Sequence, residues 1–307
     1  MLTDLPSDVT VVEVGPRDGL QNQPQIVPPE VKIDFIKRLS KTGLEIVEAT
    51  SFVDPRWIPQ LADSTEVFRG LQRDGRVRYP ALVPNVRGLE NAIEAGAREV
   101  SIFASATESF SQQNLNRSRA EALRGFSEVV NLALAEGMRV RAYLSMVLGD
   151  PWEGTVDIAE VVGEANKLID LGCEELSLGD TIGVGTALQV QELLGALFDS
   201  GIPKEKLAVH FHDTYGQGLA NVLSALQSGI TTIDASAGGL GGCPFARSAT
   251  GNLATEDLIW MLDGLGIASG VDSVKVAEAS AWLCEVIGIE IPGRAARAIS
   301  RREEHEG

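Results

Sequence analysis

The feature that most constrains this chain is an alternation repeated along nearly all of its length. Short β-branched, apolar runs fall at about 9–15, 45–52, 78–84, 99–105, 139–147, 174–179, 206–213 and 231–236, and each is followed by a stretch of helical periodicity. Strands separated by helices must pair in parallel, because a parallel neighbour is reached only through a long crossover. Eight such units close on themselves, so the expected fold is an α/β TIM (β/α)8 barrel, with residues 1–307 forming one catalytic domain. Helices are predicted over Pro29 to Thr42, Glu121 to Glu136 and Thr155 to Leu171, closed by Gly43, Gly137 and Gly172. The apolar spacing of Asp272 to Ile287 makes 268–307 an additional C-terminal helical segment, packed across the barrel or on another subunit and ending in a frayed, solvated tail at Arg301 to Gly307.

Charge narrows the partners. The formal net charge of −17 repels a phosphate backbone and argues against nucleic acid, while leaving room for an anionic small ligand bound by local arginines and backbone N–H groups. The three cysteines, Cys173, Cys243 and Cys284, are too far apart for a zinc pair and odd in number for a disulfide framework. No run approaches the roughly 20 apolar residues that a membrane span requires. With neither a signal nor a transit sequence apparent, the chain reads as soluble and cytoplasmic.

A barrel of this kind carries its chemistry at the carboxyl ends of its strands. Two of the three histidines, His210 and His212, stand two apart in one apolar run and so offer two imidazoles to one side. Paired burial satisfied by the backbone is the plainer explanation, and the search for further ligands decides between the two. The first strand runs into Gly15-Pro16-Arg17-Asp18-Gly19, where Asp18 is either a turn former or a third ligand for a divalent ion. Arg17 either pairs with a neighbouring acid or stabilises a developing enolate oxygen. Glu48 and Asp180, at two other strand ends, are helix caps or proton carriers. Beyond the eighth strand, Ala237 to Phe245 is a glycine-rich loop that has no Gly-Lys-Ser/Thr sequence; it reads as a lid able to deliver Cys243, and Asn252 follows it as a cap or a fourth ligand.

Five strings, EVGPRDGLQN (13–22), VEATSFVDPRWIPQLADS (47–64), LSLGDTIGVGT (176–186), VHFHDTYGQGLAN (209–221) and GGLGGCPFARSATGNLATEDL (238–258), resemble the 3-hydroxy-3-methylglutaryl-CoA lyase family. The resemblance extends over about 10–290. It implies a divalent metal, magnesium or manganese, on Asp18, His210, His212 and Asn252. It further implies catalytic roles for Arg17, Glu48, Asp180 and Cys243, with Gln21, Asn114 and Arg141 in the coenzyme A pocket. The implied activity is cleavage of that acyl-CoA thioester to acetyl-CoA and acetoacetate by a homodimer or higher homo-oligomer. Two departures stand out: Gln23 where the family has Glu, and Asp150-Pro151-Trp152 where it has Cys-Pro-Tyr. They leave open a related 3-hydroxyacyl-CoA as substrate. A 2-oxo-acid aldolase of the wider barrel group and a catalytically silent binding barrel are the competing readings; the loop with Cys243 argues against the first and the intact polar set against the second.

Overall fold

The computed structural model describes residues 5–73, 75–242 and 251–306, with side chains to 301. Its strands are β1 (Thr10–Glu13), β2 (Ile46–Val47 continued by Thr50–Ser51), β3 (Ala81–Leu82), β4 (Glu99–Ser105), β5 (Arg139–Ser145), β6 (Glu175–Asp180), β7 (Leu207–Phe211) and β8 (Thr232–Ala235). All the pairs are parallel. The first half of β2 pairs with β1 and the second half with β3, while β1 also pairs with β8. The sheet therefore closes through β2, and the eight predicted strands are the eight observed.

Among the described residues eleven α-helices accompany the strands: α1 (Pro29–Leu39), α2 (Ser64–Arg69), α3 (Val86–Ala95), α4 (Glu108–Leu115), α5 (Arg119–Ala135), α6 (Ile158–Asp170), α7 (Ala187–Asp199), α8 (Gly218–Gln227), α9 (Thr255–Leu265), α10 (Ser273–Ile287) and α11 (Arg294–Glu306). The expected start of α6 at Thr155 shifts to Ile158 because the Asp157 carboxylate accepts the Ala159 N–H at 2.9 Å and caps the helix. Helix α10 packs on α1 and α9 of its own barrel, burying Val276, Leu283 and Cys284. The tail expected to fray is instead the end of α11. Its first N–H groups, on Arg294 and Ala295, are accepted by the Asp257 carboxylate at 3.3 and 2.5 Å, a cap supplied from α9.

Strand alternation divides the interior from the helical layer. Val140, Ala142 and Leu144 of β5, Val209 and Phe211 of β7, and Ile233 and Ala235 of β8 belong to the main apolar core. Arg141 and Tyr143, His210, and Asp234 have the opposite parity and fill the barrel lumen. The lumen of this barrel thus holds buried charge, Arg141 of β5 pairing across strands with Glu175 of β6 and Asp234 of β8.

Candidate metal centre and active site

The site begins where β1 ends. The Val14 carbonyl accepts the N–H groups of Arg17, Asp18 and Gly19 at 3.2, 2.7 and 3.2 Å, winding Gly15–Gly19 into a single wide turn of π-helix. Such turns recur at functional sites because they redirect consecutive side chains. This one sets Arg17 and Asp18 side by side at the barrel mouth, with Arg17 Nη1 2.8 Å from Asp18 Oδ1. Across the mouth, His210 Nε2 and His212 Nε2 lie 3.3 Å apart, and His210 Nε2 is 3.7 Å from Asp18 Oδ2. One donor atom from each of Asp18, His210 and His212 falls within 4.8 Å of the others. Asn252 is bridged to His212 through the backbone, and its Nδ2 donates to Asp18 Oδ2 at 2.8 Å. Gln21 Nε2 donates to the other Asp18 oxygen at 2.6 Å.

These residues suit a divalent ion. Burial, with the neighbouring His210 adding to it, pushes His212 down to about 4, so the imidazole is neutral and its lone pair free for coordination. Burial opposes ionisation of Asp18, but the adjacent Arg17 guanidinium, helped by the Asn252 amide that donates to it, outweighs it and holds the carboxyl below its usual range. Two imidazole nitrogens and one carboxylate oxygen, with Asn252 alongside, form a mixed N/O set able to hold a divalent cation.

Beside the ligands stands an ion-paired layer. Arg17 Nε donates to Glu48 Oε2 at 2.5 Å, and the guanidinium lies 5.2 Å from the centre of the Tyr143 ring. Desolvation disfavours this buried cation, yet Glu48 and Asp18 raise its pKa above the ordinary arginine value, so it stays charged. Glu48 is fully buried and its second oxygen, Oε1, has no hydrogen-bond partner among the described residues.

The remaining predicted residues divide. Asn114 on α4 lines a cavity of about 730 Å³ together with Arg17, Asp18, Gln21, His210 and His212. Asp180 is fully buried and absent from the cavity wall; its oxygens accept the N–H groups of Val184 and Gly185 at 3.1 and 2.9 Å, and burial pushes it up to about 6. Arg141 requires a correction. It lies in the lumen, not the coenzyme pocket, where Asp234 receives its Nη2 at 2.6 Å and Glu175 its Nε at 2.6 Å. Four of its five N–H donors are taken up by Glu175, Tyr143 and Asp234, and the side chain is buried away from the cavity wall. Cys243 lies outside the described residues; the loop leading to it is fastened by Asn22, whose Nδ2 donates to the Gly242 carbonyl at 2.6 Å.

The Asp150 departure is explained locally. Its carboxylate accepts the Trp152 and Glu153 N–H groups at 2.7 and 2.8 Å and the Thr107 hydroxyl at 2.6 Å, tying the 150–154 hairpin to the start of α4. Gln23 has a simpler place, its carbonyl accepting Gln60 Nε2 at 3.3 Å. Sequence reasoning missed Tyr143 and Asp234. Both lie inside apolar runs, and only their strand parity, read together with His210, marks them as facing the lumen.

Fold and site together define a (β/α)8 barrel with a two-histidine, one-carboxylate cation site beside a buried arginine, at the mouth of a deep pocket. The chain belongs to the HMGL-like family, whose profile matches residues 8–283. It is 52% identical over 297 residues to the cytoplasmic 3-hydroxy-3-methylglutaryl-CoA lyase of Danio rerio, covering 97% of this chain and 88% of that protein. Comparable relatives carry names for the mitochondrion as well as the cytoplasm. The crystal structure of hydroxymethylglutaryl-CoA lyase from Pseudomonas aeruginosa superposes with a TM-score of 0.95 at 47% identity, over 98% of this chain and 100% of that one. An HMG-CoA lyase from Acinetobacter baumannii, in complex with coenzyme A and 3-methylmalate, matches at 0.91 and 38% identity over 95% of each chain.

Proposed function

We propose that this chain cleaves 3-hydroxy-3-methylglutaryl-CoA to acetyl-CoA and acetoacetate, with a magnesium or manganese ion held by Asp18, His210, His212 and Asn252. The observation that carries this reading is the juxtaposition of the Asp18, His210 and His212 donor set with the buried Arg17 guanidinium on one cavity wall. Breaking the C2–C3 bond requires the C3 hydroxyl to lose its proton as that carbon becomes a ketone. A bound cation would stabilise the alkoxide from which the bond breaks. The bonding electrons pass to C2 and the thioester carbonyl, and Arg17 is assigned to neutralising the enolate oxygen. Glu48 fixes the direction of that guanidinium through its Nε.

A proton must then reach C2 to complete the methyl group of acetyl-CoA. Cys243 is assigned that delivery on its sequence context. Asp180, with both oxygens engaged by backbone N–H groups, is assigned to holding the 183–185 turn that follows β6. The cavity, about 730 Å³, lies within the 300–1,000 Å³ or so that a small-molecule site occupies, and Asn114 on its wall is assigned to the acyl-CoA arm.

The test is to supply purified protein with magnesium or manganese and a panel of 3-hydroxyacyl-CoA thioesters. Acetoacetate release from the methylglutaryl thioester, abolished by a chelator and restored by the ion, is expected. Failure to release acetoacetate from it would refute the substrate assignment.

A further inference from the structure

His210 and His212 present Nε2 atoms to the same point, but their far sides differ. Both Nδ1 atoms are buried and neither makes a well-aligned hydrogen bond among the described residues, but His210 Nδ1 alone has a carboxylate oxygen beside it, Asp234 Oδ2 at 3.3 Å. The approach is built in by register, since His210 and Asp234 are direct partners on β7 and β8. Asp234 is itself immobilised: Oδ1 accepts Arg141 Nη2 at 2.6 Å, while Oδ2 accepts Arg141 Nη1 at 3.1 Å and the Ser177 hydroxyl at 2.8 Å. Arg141 is anchored in turn by Glu175 and by the Tyr143 hydroxyl at 3.0 Å. The Tyr143 ring meets the His210 ring edge-on, with centroids 5.9 Å apart, and limits its rotation.

We propose that Asp234 is a positioning residue for the cation site: it holds the His210 proton on Nδ1, so that Nε2 is an open lone pair directed at the ion. The inference rests on the metal reading above, but it concerns which ligand is prepared before an ion arrives. An imidazole free in water divides its proton between two nitrogens, and a ligand with the proton on the wrong one must rearrange before it can bind. A carboxylate behind the ring removes that choice, and loss of such partners typically weakens metal binding about 10–100-fold.

The variant that separates this role from packing is Asp234→Asn. Arg141 donates to both carboxylate oxygens, at 2.6 Å and at 3.1 Å, so the amide oxygen is expected to keep the shorter contact, which turns the amide NH2 toward His210 Nδ1. The ring then accepts there, and its proton moves to Nε2, where it opposes the ion.

Two measurements decide the matter. The chain has three histidines, so ¹⁵N-histidine correlation spectra of the unmodified, ion-free protein can be assigned with single variants. They should show His210 as the Nδ1–H tautomer; an Nε2–H tautomer overturns the proposal and does not depend on whether the variant folds. Manganese binding, followed by the EPR signal of the free ion, should weaken about 10–100-fold in Asp234→Asn. Unchanged affinity in a folded variant overturns it as well. Absence of manganese binding by the unmodified protein would count against the metal reading, while the tautomer spectrum would still decide the role of Asp234.

Discussion

Replacing Arg17 by Met tests the centre of the proposed chemistry, and the structure sets two separate magnitudes. The guanidinium is 6% exposed and bonded to Glu48 at 2.5 Å and to Asp18 at 2.8 Å. Methionine fills much of the same volume but removes the charge, leaving the buried Glu48 without the only cation bonded to it among the described residues. Breaking a buried ion pair from one side costs about 3–5 kcal/mol, so a marked fall in the urea midpoint is expected. Catalysis loses a different quantity. If the arginine neutralises the enolate oxygen, its loss should resemble removal of an oxyanion donor, about 10²–10³ in kcat. The assay is steady-state acetoacetate release at saturating substrate and metal, normalised to the folded fraction from circular dichroism under the same conditions. A folded variant retaining more than a tenth of wild-type kcat would refute the catalytic role and leave Arg17 as a structural ion pair.

Two further outcomes follow from the stem of the glycine-rich loop. Gly241 has φ +118°, and a Cβ there would stand 2.5 Å from Asn252 Nδ2. Gly241→Ala should therefore push Asn252 off Asp18 and lower turnover at limiting metal at least tenfold, on top of about 1–3 kcal/mol of backbone strain; wild-type turnover would show the loop to be more pliant. The same stem is held by two buried acids: Glu13 accepts the Ala237 N–H at 2.8 Å, and Glu256 accepts the Gly238 N–H at 2.9 Å. Burial pushes both carboxyls from 4.5 up to about 7. The folded chain then binds more protons than the unfolded chain between those values, so their contribution is full below pH 4.5 and is lost as pH rises towards 7. His212, held near 4, acts in the opposite sense below its ordinary value of 6.5. The informative measurement is thus the difference in urea midpoints between wild type and Glu256→Gln at pH 5 and pH 8. The wild-type advantage should shrink with rising pH, and a difference independent of pH would refute the assignment.

What could be read from the sequence was whatever depends on local pattern combined with one geometric rule. The strand and helix alternation predicts the barrel, and the rule that strand ends form its mouth selects Arg17, Asp18, Glu48, His210, His212 and Asn252, which the structure brings together or places directly behind the site. What escaped depends on closure. Family resemblance alone assigns Arg141 to the coenzyme pocket; its partner in the fold, Asp234, is 93 residues away in sequence, and only the ring of strands makes them neighbours. The tail failed for a related reason, since the cap of α11 comes from Asp257 on another helix and no local signal announces it. The Asp150 substitution shows the same dependence at the pocket. From sequence it marked a possible change of acyl specificity, yet its carboxylate is spent on the hairpin's own N–H groups and on Thr107. Through Thr107 it is tied to the start of α4, the helix that carries Phe110 and Asn114 into the cavity wall. A change at residue 150 should consequently alter the affinity for the acyl-CoA arm without disturbing the cation site on the opposite strands.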